Sequence, residues 1–363
     1  MSNNSLVITG VGIFSPFGSR KEDFWEGVNK GVSGIREITS FDALKYGCNY
    51  AGEIKGFEPE AYLGKKGLKY LARTTKLVMS GAYICLRDAG IRSETRENDR
   101  YDAMSLGIVL GTTLGVAHSI YAFQETSLVE GPSCVSPMAF PNLVMNSHAG
   151  YVAIKEGMKG LNLTVSTGYN ASLDAVGIAA SFLESNQAKC FLVGGVEELS
   201  GELLLWQRER WPGSRDIHVG EGCGIYTVEK LGDAVSRGAK IYGKVAGYGN
   251  AFSESSEGLE KAIEQAISEA GMTMDEIDYI VRGINAGERE KNMESEVIET
   301  NFGHKMRCLD LTNALGDSYS AGGSLQIGAG LGLIEQKIVS NFLTVSTDPS
   351  GSSSALIIRD LSA

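Results

Sequence analysis

The 363-residue chain is 43% hydrophobic and 21% charged, with a net charge of −11, an ordinary balance for a soluble globular protein with a sizeable core. An acidic chain without clustered Lys and Arg argues against nucleic acid and anionic membranes as partners, and no apolar run reaches the roughly 20 residues of a membrane span. Six cysteines (Cys48, Cys85, Cys134, Cys190, Cys223, Cys308) show no metal-ligand spacing. Free, mostly buried thiols in a reducing, cytoplasmic setting are therefore expected, with no metal and no cofactor. The N-terminus has no basic, then long apolar, leader pattern.

In chain order, Leu6–Gly12 reads as a first strand, followed by helices over Glu22–Asn29 and Lys69–Ala89. Leu106–Gly111 is the next strand, then a helix over Asn142–Glu156, a β-branched strand at Leu163–Thr167 and a helix over Ala171–Asn186. Strands at Cys190–Gly194, Gly224–Glu229 and Ile241–Gly247 precede a helix over Ser256–Ala270 and a strand at Tyr279–Arg282. A helix over Ser320–Gln336 and strands at Phe342–Ser346 and Ala355–Arg359 complete the chain. Strands alternating with helices predict mixed sheets covered by helices, and 46 glycines against 7 prolines predict many tight turns. Ala171–Leu183 and Ala321–Leu333 are small and apolar all round, so both are expected to be buried on every side, between two sheets. That arrangement is a five-layer α/β body, helix-sheet-helix-sheet-helix, with a weak internal duplication into halves 1–242 and 243–363.

The stretch TVSTGYNASLDAVG, Thr164–Gly177, runs from strand through small residues directly into an apolar helix. Such a turn presents one side chain above a helix N-terminus, where nucleophiles are often held. The residue so presented is Tyr169. A phenol, with an ordinary pKa of about 10, is a poor nucleophile without a base beside it. A ring filling the pocket is the favoured reading over a phenolic acid or base. Ser166, Thr167 and Ser172 flank the turn and are expected to cap backbone groups.

TVSTGYNAS resembles the nucleophile elbow of the β-ketoacyl-acyl-carrier-protein synthases, enzymes of the thiolase fold. VITGVGIFSPFGS, FWEGVNKGVSGI, GPSCVSPMAFPNLVMNSHAG with KGLNLTV, FLVGGVEE and GEGCGIYTVEKLGDAVSRGAKIYGKVAGYG match further family segments in order across nearly the whole chain. The resemblance implies condensation by a cysteine, two histidines and a lysine. Carried over position by position, the cysteine falls on Tyr169. The first histidine falls on Gly287 in INAGERE, and the lysine and second histidine fall on Thr312 and Asp317 in LTNALGDSYSAGG. The phenylalanine of the gating loop falls on Ser350. The chain is also shorter around WPGSRDIHVGEG and GYGNAFSESSEG, where active members carry loops that wall the site. An ionised Asp317 would repel the enolate that the family's histidine stabilises.

The resemblance therefore implies a body kept after its catalytic groups were lost, as in the chain length factors of type II polyketide, aryl polyene and anthraquinone systems. Those subunits pair with an active ketosynthase through the strand leading into the elbow. The acyl-carrier protein then delivers substrate mainly to the partner, and a helix of the inactive subunit closes the acyl tunnel. The matching helix follows GTTLG, with Val116, Ser119, Ile120 and Phe123 at i, i+3, i+4, i+7; Met138 and Phe140 join the wall. Two alternatives stay open: a thiolase-fold acyltransferase or hydrolase rebuilt around Tyr169, Ser172 and Asp317, and a homodimeric scaffold. Asp317 and Glu288 read as backbone-binding or solvated rather than as a carboxylate pair. His118, His148, His218 and His304 show no ligand spacing, and WQRERW, Trp206–Trp211, reads as a solvated segment rather than a basic docking patch.

Overall fold

Buried on both faces along its whole length, strand β1 (Leu6–Phe14) is a central strand. The computed structural model describes residues 3–93, 99–210, 218–283 and 287–362. In chain order the main sheet continues with β2 (Leu106–Gly111), β3 (Asn162–Val165), β4 (Cys190–Glu197) and β5 (Gly222–Lys230). It then takes β6 (Gly243–Phe252), β7 (Ile280–Val281), β8 (Cys308–Leu309), β9 (Asn341–Thr347) and β10 (Ser352–Arg359).

The ten strands lie in the order β8-β7-β9-β10-β6-β1-β5-β4-β2-β3. Read outward from the centre, β1-β5-β4-β2-β3 is matched by β6-β10-β9-β7-β8. In both halves the first two pairings are antiparallel and the last two parallel. The fold is thus a thiolase-like α/β architecture with internal duplication. One correction concerns the sheets: they are continuous rather than separate, because Leu6–Ile8 of β1 pairs antiparallel with Gly243–Val245 of β6. Backbone groups at two buried central edges would otherwise lack partners.

Helices α1 (Lys21–Lys30), α2 (Arg73–Asp88), α3 (Ala117–Val129), α4 (Ser147–Glu156) and α5 (Ala171–Glu184) accompany the first half. Helices α6 (Gly201–Arg210), α7 (Glu257–Ala270), α8 (Glu288–Phe302) and α9 (Gly322–Glu335) follow. The inner layer is α5 and α9, which touch each other and strands of both halves, while α2 packs over β1 and β5 and α7 over β6 and β10. Every residue of α9 from Gly322 to Ile334 is buried. Its glycines are space-saving: a Cβ at Gly330 would lie 2.2 Å from the Phe342 ring and one at Gly332 2.4 Å from Trp25.

The expected strands and the two buried helices are present, with shifted boundaries. The helix expected from Lys69 starts at Arg73 because Leu68–Tyr70 forms a 3-10 turn and Leu71 is extended. The one expected from Asn142 starts at Ser147, after a 3-10 segment at Pro137–Leu143. Periodicity misses α8, whose inward face carries Glu290 and Glu294 beside Val297 and Ile298. Of the cysteines, Cys85, Cys190 and Cys223 are buried free thiols, but Cys134 and Cys308 are exposed and Cys48 is half-buried. Among the described residues no helix is long and apolar enough to cross a membrane.

His148 on α4 is fully buried, with Nδ1 2.8 Å from the Thr75 hydroxyl on α2. Burial pushes its pKa down to about 4 from 6.5. A neutral buried histidine stabilises the fold in full above pH 6.5, and the contribution is lost as pH falls through 4. Urea denaturation of wild type and His148→Gln should therefore show a stability gap that narrows by about 1.4 kcal/mol per unit as pH falls from 6.5 to 4.

Candidate functional site

Strand β3 ends at Val165, a 3-10 turn spans Gly168–Asn170, and α5 begins at Ala171. Gly168 makes the turn possible: its φ is +64°, and a Cβ there would lie 1.8 Å from an Asp348 carboxylate oxygen. The turn does not hold Tyr169 outward, as the elbow pattern alone suggested. Its side chain is inside, 2% exposed.

Tyr169 is held at both ends by carboxylates from the second half of the chain. Its hydroxyl donates to Asp317 Oδ2 at 2.6 Å, and its backbone N–H donates to Asp348 Oδ2 at 3.1 Å. Asp317 is buried, and its other oxygen accepts the Tyr319 N–H at 3.0 Å, holding Tyr319 at φ +47°. The Tyr319 ring stands edge-on to Tyr169 at 4.6 Å between centroids, and Trp206 of α6 lies 4.6 Å from Tyr319 on the other side. Burial and then the surrounding carboxylates raise the Tyr319 hydroxyl well above the ordinary phenol range. Tyr169, Tyr319 and Trp206 thus form a run of packed rings, edge-on and then tilted, beside the turn. Trp206 was missed by sequence reading: Trp206–Arg210 form the end of α6 rather than only a solvated segment, and Trp206 is half-buried. Trp211 lies outside the described residues.

Behind the stack, Ser172 donates to the Ser320 carbonyl and the Ser320 hydroxyl donates to Glu197. The same Glu197 oxygen accepts the backbone N–H groups of Thr113 at 2.7 Å and Leu114 at 2.9 Å. Burial, only partly offset by these bonds, pushes the Glu197 carboxyl up to about 7. Thr167 donates to Asp174 at 2.6 Å, and Asp174 also accepts from Tyr248 on β6 and Ser354 on β10. Of the hydroxyls flanking the turn, Ser172 bonds across the fold to Ser320, Thr167 bonds to the Asp174 side chain on α5 itself, and Ser166 is exposed, 3.5 Å from the Thr113 hydroxyl.

The other expected positions are distributed as follows. Thr312 is buried, its N–H donating to Asp310 at 2.8 Å, and the Gly316 N–H returns to the Thr312 carbonyl. Gly287 is buried at the N-terminus of α8, whereas Ile284–Ala286 of the same motif lie outside the described residues. Ser350 is exposed, its N–H donating to Asp348 Oδ1 at 2.9 Å. Glu288 is exposed on the first turn of α8, so Asp317 finds its partner in Tyr169 instead. The histidines stay apart: His118 contacts Glu202, His304 contacts Glu299, and His218 lies against the Tyr50 ring. Among the described residues no group of three or more His, Cys, Asp or Glu could hold a metal ion.

On the side of α3 facing residues 131–146 lies a cleft of about 350 Å³, lined by Ser119, Ala122, Phe123, Val135 and Ala139 among others. A second cleft of about 310 Å³ shares Phe123 and adds Phe140. Phe123 and Phe140 stand 6.5 Å apart, edge to face. Val116 is buried as the residue preceding α3, and neither it, Ile120 nor Met138 lines these clefts. Large apolar side chains are exposed on α3, on residues 131–146 and on α4: Leu128 86%, Phe140 62% and Ile154 80%. Edge strand β3 is paired on one side only.

Residues 3–216 match the family model described as beta-ketoacyl synthase, N-terminal domain. The chain belongs to the beta-ketoacyl synthase family. Among curated relatives, the 3-oxoacyl-[acyl-carrier-protein] synthase 2 of Vibrio cholerae is 30% identical over 306 residues, 77% of this chain and 73% of the relative. The synthase 2 of Staphylococcus aureus is 27% identical over 377 residues, 96% of this chain and 90% of the relative. Among solved structures, the ishigamide ketosynthase/chain length factor superposes with a TM-score of 0.91 at 24% identity, covering 99% of this chain and 100% of that one. A type II PKS acyl-carrier protein in complex with its ketosynthase, AntDE:AntF, gives 0.84 at 20% identity, with 99% and 100% covered. These structural likenesses establish a beta-ketoacyl synthase fold over the full length.

Two outcomes follow from the site's energetics. Asp317→Ala leaves a buried phenol without its acceptor and should cost about 1–3 kcal/mol in urea unfolding; Tyr169→Phe in the same chain should recover part of that loss. Glu197, with its folded pKa raised above the ordinary 4.5, contributes its full stability below pH 4.5 and loses it as pH rises through 7. Glu197→Gln should accordingly gain on wild type in melting temperature between pH 4.5 and 7.5.

Proposed function

We propose that this beta-ketoacyl synthase family member is the non-catalytic, chain-length-setting subunit of a heterodimeric ketosynthase in type II polyketide biosynthesis. The observation that carries the reading is the clamp on Tyr169. At the position the family resemblance assigns to the cysteine, the side chain is a buried phenol bonded to a carboxylate, with aromatic rings packed where an acyl group would lie. No histidine or lysine stands at the other assigned positions, Gly287, Thr312 and Asp317. The phenol donates its proton to Asp317 and is packed against the Tyr319 ring, which ties it into the fold rather than presenting it to a substrate.

Shape is what remains. The exposed apolar surface of α3, residues 131–146 and α4, beside an edge strand with unpaired backbone groups, suits pairing with a similar fold. An active ketosynthase placed there would extend the sheet through β3 and cover the clefts beside Phe123. Covered, those clefts become the closed end of an acyl tunnel, with Ser119, Phe123 and Phe140 in its wall. The acyl-carrier protein would load the partner. The similar fold of the ishigamide ketosynthase/chain length factor is consistent with this assembly.

Co-expression with an active ketosynthase from the same gene neighbourhood should yield a soluble one-to-one complex with condensing activity, while this chain alone should be inactive or self-associated. Turnover of acyl-carrier thioesters by the isolated chain would favour an acyltransferase or hydrolase rebuilt around Tyr169, Ser172 and Asp317. Within the complex, Phe123→Ala should shift the product distribution, read by mass spectrometry, toward longer chains by one or more extension units; unchanged lengths would remove α3 from the tunnel wall.

A further inference from the structure

A polar atom buried without a partner is costly, and one left on the wall of a cavity points to what the cavity takes. The larger cleft beside Phe123 has such a residue in its wall. Asn142, near the end of the 3-10 segment at Pro137–Leu143, lines the cleft and is only 9% exposed. Its Nδ2 donates to the Tyr70 carbonyl at 2.8 Å, whereas its Oδ1 is buried and accepts no hydrogen bond among the described residues. The Tyr70 carbonyl also fixes which end of the amide is which. It can accept only from an N–H, so the side chain does not turn over and the orphan atom is always the carbonyl oxygen.

The other polar groups of the wall do not select in this way. The Thr126 hydroxyl donates to the Ala122 carbonyl at 2.9 Å and the Cys134 thiol to the Glu130 carbonyl at 3.4 Å. His118 is exposed, with Nδ1 3.1 Å from Glu202 Oε2. The Ser119 and Ser136 hydroxyls can donate or accept and so favour neither kind of ligand. A carbonyl that only accepts does choose. We propose that Asn142 Oδ1 is the acceptor for a hydroxyl or enol O–H on an acyl chain lying in this cleft. The ligand class is then a hydroxylated or enolised chain rather than a plain hydrocarbon. A keto oxygen or a methylene placed there leaves the amide unpaired, and once a partner fold covers the cleft no bulk water supplies the missing donor. That the donor belongs to an acyl chain rests on the role proposed above; the preference for a donor does not.

Cys134 provides the readout, since it is exposed and lines the same cleft. The full-length chain is treated with iodoacetamide, and alkylation of Cys134 is followed by peptide mass spectrometry while n-hexanol or its isostere methyl pentyl ether is added. The two probes fill similar space and both can accept a hydrogen bond, but only the alcohol donates one. In wild type, half-protection of Cys134 should come at about fivefold lower hexanol than ether, the worth of one added hydrogen bond. Asn142→Leu should erase that difference while leaving protection by the ether in place, and Asn142→Ala serves if the leucine variant does not fold. Equal protection by the two probes in wild type, protection by neither, or a hexanol preference that survives in the folded variant would overturn the proposal. The product lengths of Phe123→Ala test the tunnel role separately, so the donor preference can fail while that reading stands, and the reverse.

Discussion

Tyr169 is the residue on which the two halves of the molecule close. Its hydroxyl and its N–H are taken by carboxylates from opposite sides of α9, Asp317 before it and Asp348 after it. Buried polar groups are costly unless paired, and here the pairing needs both halves of the duplicated fold in register. Asp174 repeats the pattern a few residues on, accepting from Tyr248 on β6 and Ser354 on β10. The start of α5 is thereby fixed by three carboxylate contacts that span the pseudo-symmetric interface. The same geometry that makes the turn rigid leaves no room beside it, because Tyr319 and Trp206 complete the packing.

Rigidity and closure together separate shape from chemistry in this family member. The inner helices are packed so tightly that glycines are required against Phe342 and Trp25, and the central strands are buried on both faces. None of this depends on a reactive group at the turn. A beta-ketoacyl synthase body is thus packed around the buried Tyr169, while clefts beside Phe123 and an edge strand stay open. The proposed role as a chain-length-setting partner uses those features and asks nothing of the clamp except that it stay closed.

How much of this was legible beforehand follows from the range of the interactions. The alternation of strands and helices, the two wholly apolar helices and the turn at TVSTGYNAS are local patterns, and each is present in the structure. A Tyr169 ring packed against its neighbours was one reading of its place in the motif, and the side chain is buried. Its partners were not legible there: Asp317 is 148 residues away and Asp348 179 residues away, and single-residue chemistry does not reveal such pairings. Trp206 looked like part of a charged surface run because its neighbours are Arg and Glu. Helix α8 escaped because its buried face carries glutamates, one of them, Glu294, with a carboxyl that burial pushes up to about 7. The α3 stripe was read by spacing alone, and the clefts select Ser119 and Phe123 from it but not Val116 or Ile120.

The most direct test weighs each subunit separately. The reconstituted complex of this chain with its active ketosynthase is exposed briefly to an acyl-carrier thioester, quenched, and both polypeptides are measured by intact-protein mass spectrometry. The account predicts an acyl adduct on the partner and an unchanged mass for this chain. An acyl group carried by this chain, at Tyr169, Ser172 or elsewhere, would contradict it.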